Sequence, residues 1–116
     1  MTRRCILQRT AEGIRSAPTR EPLIDNILRA ILYHHERFDG KGYPLGLKGG
    51  EIPLLARVLS IVEAYQAMIS PRPQRRRKTR EEAIAELREE AGSQFDPDIV
   101  NAFIESLQEE KGSPEQ

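Results

Sequence analysis

A chain of 116 residues with 18 basic and 18 acidic side chains carries no formal net charge, so its overall field recruits neither nucleic acid nor an anionic membrane. Apolar residues make up 38 % and aromatic residues 5 %, with no Trp, which suits one modest core, that of one domain or part of one. The single Cys5 excludes an internal disulfide framework and fits a reducing cytosol; no apolar run forms a membrane span of roughly 20 residues or a signal-peptide h-region.

Residues 1–20 form an N-terminal basic segment with five Arg against one acid. A degenerate helix over 2–16 would carry Ile6, Leu7 and Ile14, with Gly13 against it and Ala17-Pro18 ending it. Residues 22–35 predict an amphipathic helix, because Leu23, Ile24, Ile27, Leu28, Ile31 and Leu32 recur at spacings of three and four. Pro22 suits its first position. Residues 36–52 hold five glycines and Pro44, the composition of a long functional loop.

A second helix is expected from Pro53 to Ser70, with a seam of Leu55, Val58, Val62, Tyr65 and Ile69, stopped by Pro71 and Pro73. The basic run 72–80 reads as a linker and lacks the interleaved aromatics that stack nucleic-acid bases. Thr79 and Glu82 predict a capping box at the head of a third helix, with Ala83, Ile84 and Leu87 inward and Gly92 at its end. Asp96-Pro97-Asp98 opens a last helix whose Ile99, Val100, Phe103, Ile104 and Leu107 face the core. Residues 109–116 are a polar tail. Strand-type alternation and internal repeats are missing, so the class is all-α: four to five helices around a long loop.

The run His34-His35-Glu36-Arg37-Phe38-Asp39-Gly40-Lys41-Gly42-Tyr43-Pro44 carries the chemistry. Vicinal imidazoles at a helix end diverge by about 100° and each offers a nitrogen to a metal. This run resembles the signature of the HD-GYP family, HD-type metal-dependent phosphohydrolases that include cyclic-di-GMP phosphodiesterases. Gly46-Leu47, Gly50-Glu51-Ile52-Pro53-Leu54, Ala56-Arg57, Ser70, Arg72-Pro73 and Gln94-Phe95-Asp96-Pro97 extend the likeness over roughly 25–105.

The resemblance implies an HD-like helical bundle, of which residues 21–108 would be the C-terminal half. It implies His34 and His35 as metal ligands, joined by Glu63, with Fe or Mn as the metal. Glu36, Asp39, Gly40, Gly42 and Pro44 would support the loop and the histidines. Tyr43 would border the substrate, and Arg72 and Arg75 would meet its phosphates, which a guanidinium fork suits. GGDEF-type diguanylate cyclases are the implied partners of the GYP face.

The sequence also departs from that pattern. Where the family carries two aspartates three residues apart, this chain has Glu63 and Gln66; where it carries a His-Pro pair followed by Gly, this chain has Arg9-Thr10 and Gly13. No His-Asp dipeptide occurs, and the upstream half that would hold it is expected to be missing. The expectation is therefore a truncated, degenerate cytoplasmic module that binds cyclic-di-GMP or a partner without hydrolysis. The competing expectation is an active phosphodiesterase completed by another chain. The apolar face of helix 22–35 further predicts self-association.

Overall fold

A computed structural model describes residues 21–74 and 76–111; the helix expected over 2–16, the positions of Arg9, Thr10 and Gly13, and Arg75 lie outside them. The described residues form four α-helices and no named strand: α1 (Pro22–Tyr33), α2 (Leu54–Ile69), α3 (Arg80–Glu89) and α4 (Pro97–Lys111), with a 3-10 turn at Gly49–Glu51. None of these helices is long and apolar enough to cross a membrane.

The helix boundaries follow local chemistry. Pro22 occupies the start of α1, where its missing N–H removes no intrahelical bond, and His34 ends the helix. Thr79 Oγ1 accepts from the Glu82 amide at 3.1 Å while the Glu82 carboxylate accepts from the Thr79 amide at 2.8 Å, the reciprocal cap expected at α3. Gly92, beyond the end of α3, takes φ +93°, a left-handed value open to glycine. Asp96 Oδ1 caps α4, accepting from the Asp98 amide at 2.9 Å and the Ile99 amide at 3.4 Å.

Two apolar cores result. The larger joins Ile61, Tyr65 and Met68 of α2 to Ala83 and Leu87 of α3 and to Phe95, Val100, Ile104 and Leu107 at α4. Ring edges reinforce it, Tyr65 and Phe103 meeting at 5.3 Å in a T-shape. The smaller core packs Leu32 and Tyr33 of α1 on Ile52 and Ala56, with Leu45 and Leu47 of the loop against it. Across the gap, Arg57 donates to Asp96 at 2.7 Å and to the Ile52 carbonyl at 2.9 Å, tying the start of α2 to the start of α4.

The α2 seam departs from expectation. Tyr65 is buried, and Val62 and Ile69 are half-buried, but Leu55 and Val58 are exposed. The reason is that α2 is sandwiched: Ala56 turns to α1, whereas Ile61, Tyr65 and Met68 turn to α3 and α4. Two buried faces replace the single stripe. On α1, Leu23, Ile24, Ile27 and Ile31 are likewise exposed, and the helix buries Ala30, Leu32 and Tyr33 instead.

Candidate functional site

The loop after α1 is built around one buried carboxylate. Glu36 Oε2 accepts from the Leu45 amide at 2.7 Å, and Oε1 accepts from the Gly46 and Leu47 amides at 2.9 and 3.0 Å. Three charge-assisted bonds of this kind hold the far arm of the loop against the helix end. Gly42 lets the near arm close. A Cβ there would sit 2.5 Å from both the Arg37 nitrogen and the His35 carbonyl oxygen. The peptide between Tyr43 and Pro44 is cis, and Gly40 takes φ +85°.

Asp39 fastens the turn by accepting a paired bond from Arg37 (3.2 and 3.0 Å) and one from the Lys41 amide (3.0 Å). The Arg37 bond, and then the Lys41 amide, hold the Asp39 carboxyl below its usual range; the same bond raises the Arg37 guanidinium. The loop is also stitched across the molecule. Phe38 N–H donates to the Gln94 carbonyl at 3.1 Å and Asp39 N–H to the Ser93 carbonyl at 2.9 Å.

These supports position the histidines over α2. His34 Nδ1 lies 2.6 Å from the Ile31 carbonyl, and its Nε2 lies 2.6 Å from Glu63 Oε2. A carbonyl only accepts, so Nδ1 carries a proton and donates. Nε2 then faces a carboxyl oxygen, so a proton or a cation has to lie between the two acceptors. His35 stacks on Tyr43 with ring centres 5.0 Å apart and planes at 13°, and its ring lies 4.0 Å from that of His34.

A cleft of about 550 Å³ opens here, lined by His34, His35, Tyr43, Glu63, Gln66 and Arg72. Of the expected residues, His34, His35, Glu36, Tyr43, Glu63 and Arg72 line the cleft, Pro44 does not, and Arg75 lies outside the described residues. Asp39, Gly40 and Gly42 support the loop from outside the lining. Arg37, Ser60 and Gln94 also line the cleft. Arg37 sits inside the motif run, while Ser60 has no local signal beyond being one turn before Glu63.

Nδ1–H on a backbone carbonyl is the device that frees Nε2 of a ligating histidine, and Glu63 is in place beside it. Yet among the described residues no group of three or more His, Cys, Asp or Glu is placed to share an ion. One cation with open positions fits the His34–Glu63 pair, and the described residues offer no ligand set for a second.

Helices stacked on both sides of α2, with a histidine-walled cleft under a glycine-rich loop, define a helical domain of HD type. The chain belongs to the HD domain family, which it matches over residues 3–99, and its relatives agree with the HD-GYP likeness. It is 46 % identical over 80 residues to a probable cyclic di-GMP phosphodiesterase of Vibrio cholerae, covering 68 % of this chain and 18 % of that protein. It is 37 % identical over 98 residues to a cyclic di-GMP phosphodiesterase of Thermotoga maritima, covering 84 % and 27 %. The crystal structure of a cyclic GMP-AMP-specific phosphodiesterase of Vibrio cholerae shares the fold at TM-score 0.63 and 22 % identity, over 87 % of this chain and 21 % of that one. The chain therefore spans 18 to 27 % of the length of these two curated relatives.

Proposed function

We propose that residues 21–108 form a degenerate HD-GYP signalling module that holds a cyclic dinucleotide in its cleft and does not hydrolyse it unaided. Its glycine-rich loop would offer a docking face to GGDEF-type partners in the cytoplasm, with residues 1–20 and 109–116 as flanking segments. The supporting observation is the donor set. Phosphodiester cleavage by a two-metal clamp needs cations about 3.5–4 Å apart, and among the described residues His34 with Glu63 makes one site at most.

Binding asks for less. Arg37 and Arg72 bring guanidinium groups to the cleft, Tyr43 brings an aromatic plane, and Gln66 and Gln94 bring amides. Arg75 would add a further phosphate contact. The relatives' names supply the ligand class, cyclic di-GMP or cyclic GMP-AMP. Calorimetric titration of the chain with each should show binding that Arg72→Ala weakens roughly tenfold, about 1.4 kcal/mol. Chromatography after incubation with Mn or Fe should show no linear product. Turnover by the isolated chain, abolished by His34→Ala or His35→Ala, would overturn the reading.

The Nδ1–H bond of His34 to Ile31 favours a second reading, an enzyme completed by another chain. In that case His34 and Glu63 would hold Fe or Mn, and bound metal would supply Lewis acidity to a phosphate. Metal analysis decides between them: two ions per chain, gained on adding a ligand-rich partner, would favour the enzyme.

A further inference from the structure

Two arginines line the cleft, Arg37 and Arg72, and their situations differ. Arg72 is exposed, and among the described residues it makes no ion pair. Arg37 is already held: its Nε and one terminal nitrogen donate to the two oxygens of Asp39 at 3.2 and 3.0 Å. Asp39 is not among the lining residues, so this pair joins a group inside the cleft to one outside it.

A cyclic dinucleotide carries a negative charge on each of its two phosphodiesters. The uncommitted guanidinium of Arg72 can meet one of them; the other calls on Arg37. We infer that Arg37 is a latch: Asp39 holds it while the cleft is empty, and a ligand phosphate takes it over, leaving Asp39 to the Lys41 amide. The inference rests on the reading that the cleft holds a cyclic dinucleotide, and adds what that binding does to the loop.

The exchange asks little. The two side chains are 35 and 21 % exposed, and an ion pair this close to solvent is weak. A phosphate offers the same guanidinium fork the same paired geometry. The turn that is released has a long reach. Asp39 N–H donates to the Ser93 carbonyl at 2.9 Å, and the Ser93 hydroxyl lies against Glu90, just past the end of α3. Glu90 also attracts Arg37 across the same joint. The carboxylate that loses its partner is thus fastened to the turn between α3 and α4, and occupancy of the cleft is felt where no lining residue stands.

Calorimetry with cyclic di-GMP and with cyclic GMP-AMP tests the latch on the full chain, on Asp39→Asn, on Arg37→Ala and on the double variant. Asparagine keeps an oxygen for the Lys41 amide but gives up the charge that competes for Arg37. Asp39→Asn should tighten binding about two- to fivefold, and Arg37→Ala should weaken it roughly tenfold. Once Arg37 is gone, Asp39→Asn should change nothing. In the unsubstituted chain the Arg37 Nε–H resonance should move as ligand saturates the cleft. The latch is overturned if Asp39→Asn weakens binding, as it would were the pair only a fastener of the turn, or leaves it unchanged. A gain that persists without Arg37 overturns it too, as does an Nε–H resonance that stays in place. In each of those cases the cleft still binds; a chain that binds neither ligand would instead sink the reading of the cleft, and the latch with it.

Discussion

Glu36 is the residue on which the loop turns. Its two oxygens take three amide protons from Leu45, Gly46 and Leu47. In Glu36→Gln the carbonyl can keep one set of partners, but the new NH₂ then meets an N–H donor. The unsatisfied donors should cost about 2–3 kcal/mol of stability, read by urea denaturation. Gly42→Ala is expected to cost about 1–3 kcal/mol, because its Cβ would strike backbone atoms that cannot swing aside. Nuclear magnetic resonance shifts at His35 and Arg37 should report the displacement.

The cap of α3 makes the clearest prediction among the elements. Bonds from Arg76 first, and then from the Thr79 amide, lower the Glu82 carboxyl from 4.5 to about 2. A lowered folded pKa means that its stabilisation is fully present above the unfolded value and is lost as pH falls from about 4.5 through about 2. The pair is exposed, so salt should blunt the effect. Melting curves of the native chain and Glu82→Gln should therefore converge across that window. Thr79→Ala, which removes the other half of the cap, should cost about 1 kcal/mol at neutral pH.

This cap was readable in advance from Thr79 and Glu82, as were the four helices, the glycine-rich loop and the Asp96 start of α4. Each depends on chemistry within a few residues. The faces of α2 were not readable, since Leu55 and Val58 continue the apolar spacing that Tyr65 follows and only tertiary packing decides which of them is covered. The cleft was partly legible: the histidines and Tyr43 share one run, whereas Glu63 and Arg72 needed the family likeness. The approach of Gln94 to the loop depends on backbone bonds with no side-chain signature.

For the whole molecule, the division into two cores bridged by α2 sets how stability is shared. Leu87 is fully buried in the larger core, and Leu87→Ala should cost about 3 kcal/mol. Because Phe38 and Asp39 hang on the Gln94 and Ser93 carbonyls, the loss should travel. Hydrogen exchange at Phe38 and Asp39 should quicken along with exchange in α4. Exchange that quickens in α4 alone would separate the two cores.

The cleft walls come from three stretches of chain far apart in sequence: the end of α1 with the loop that follows it, α2 with the residues just beyond it, and the turn before α4. A small molecule seated among them would act as a clasp, since the chain could not come apart without letting it go. Occupancy should then be legible without any enzymatic assay, as a melting temperature that climbs with ligand concentration.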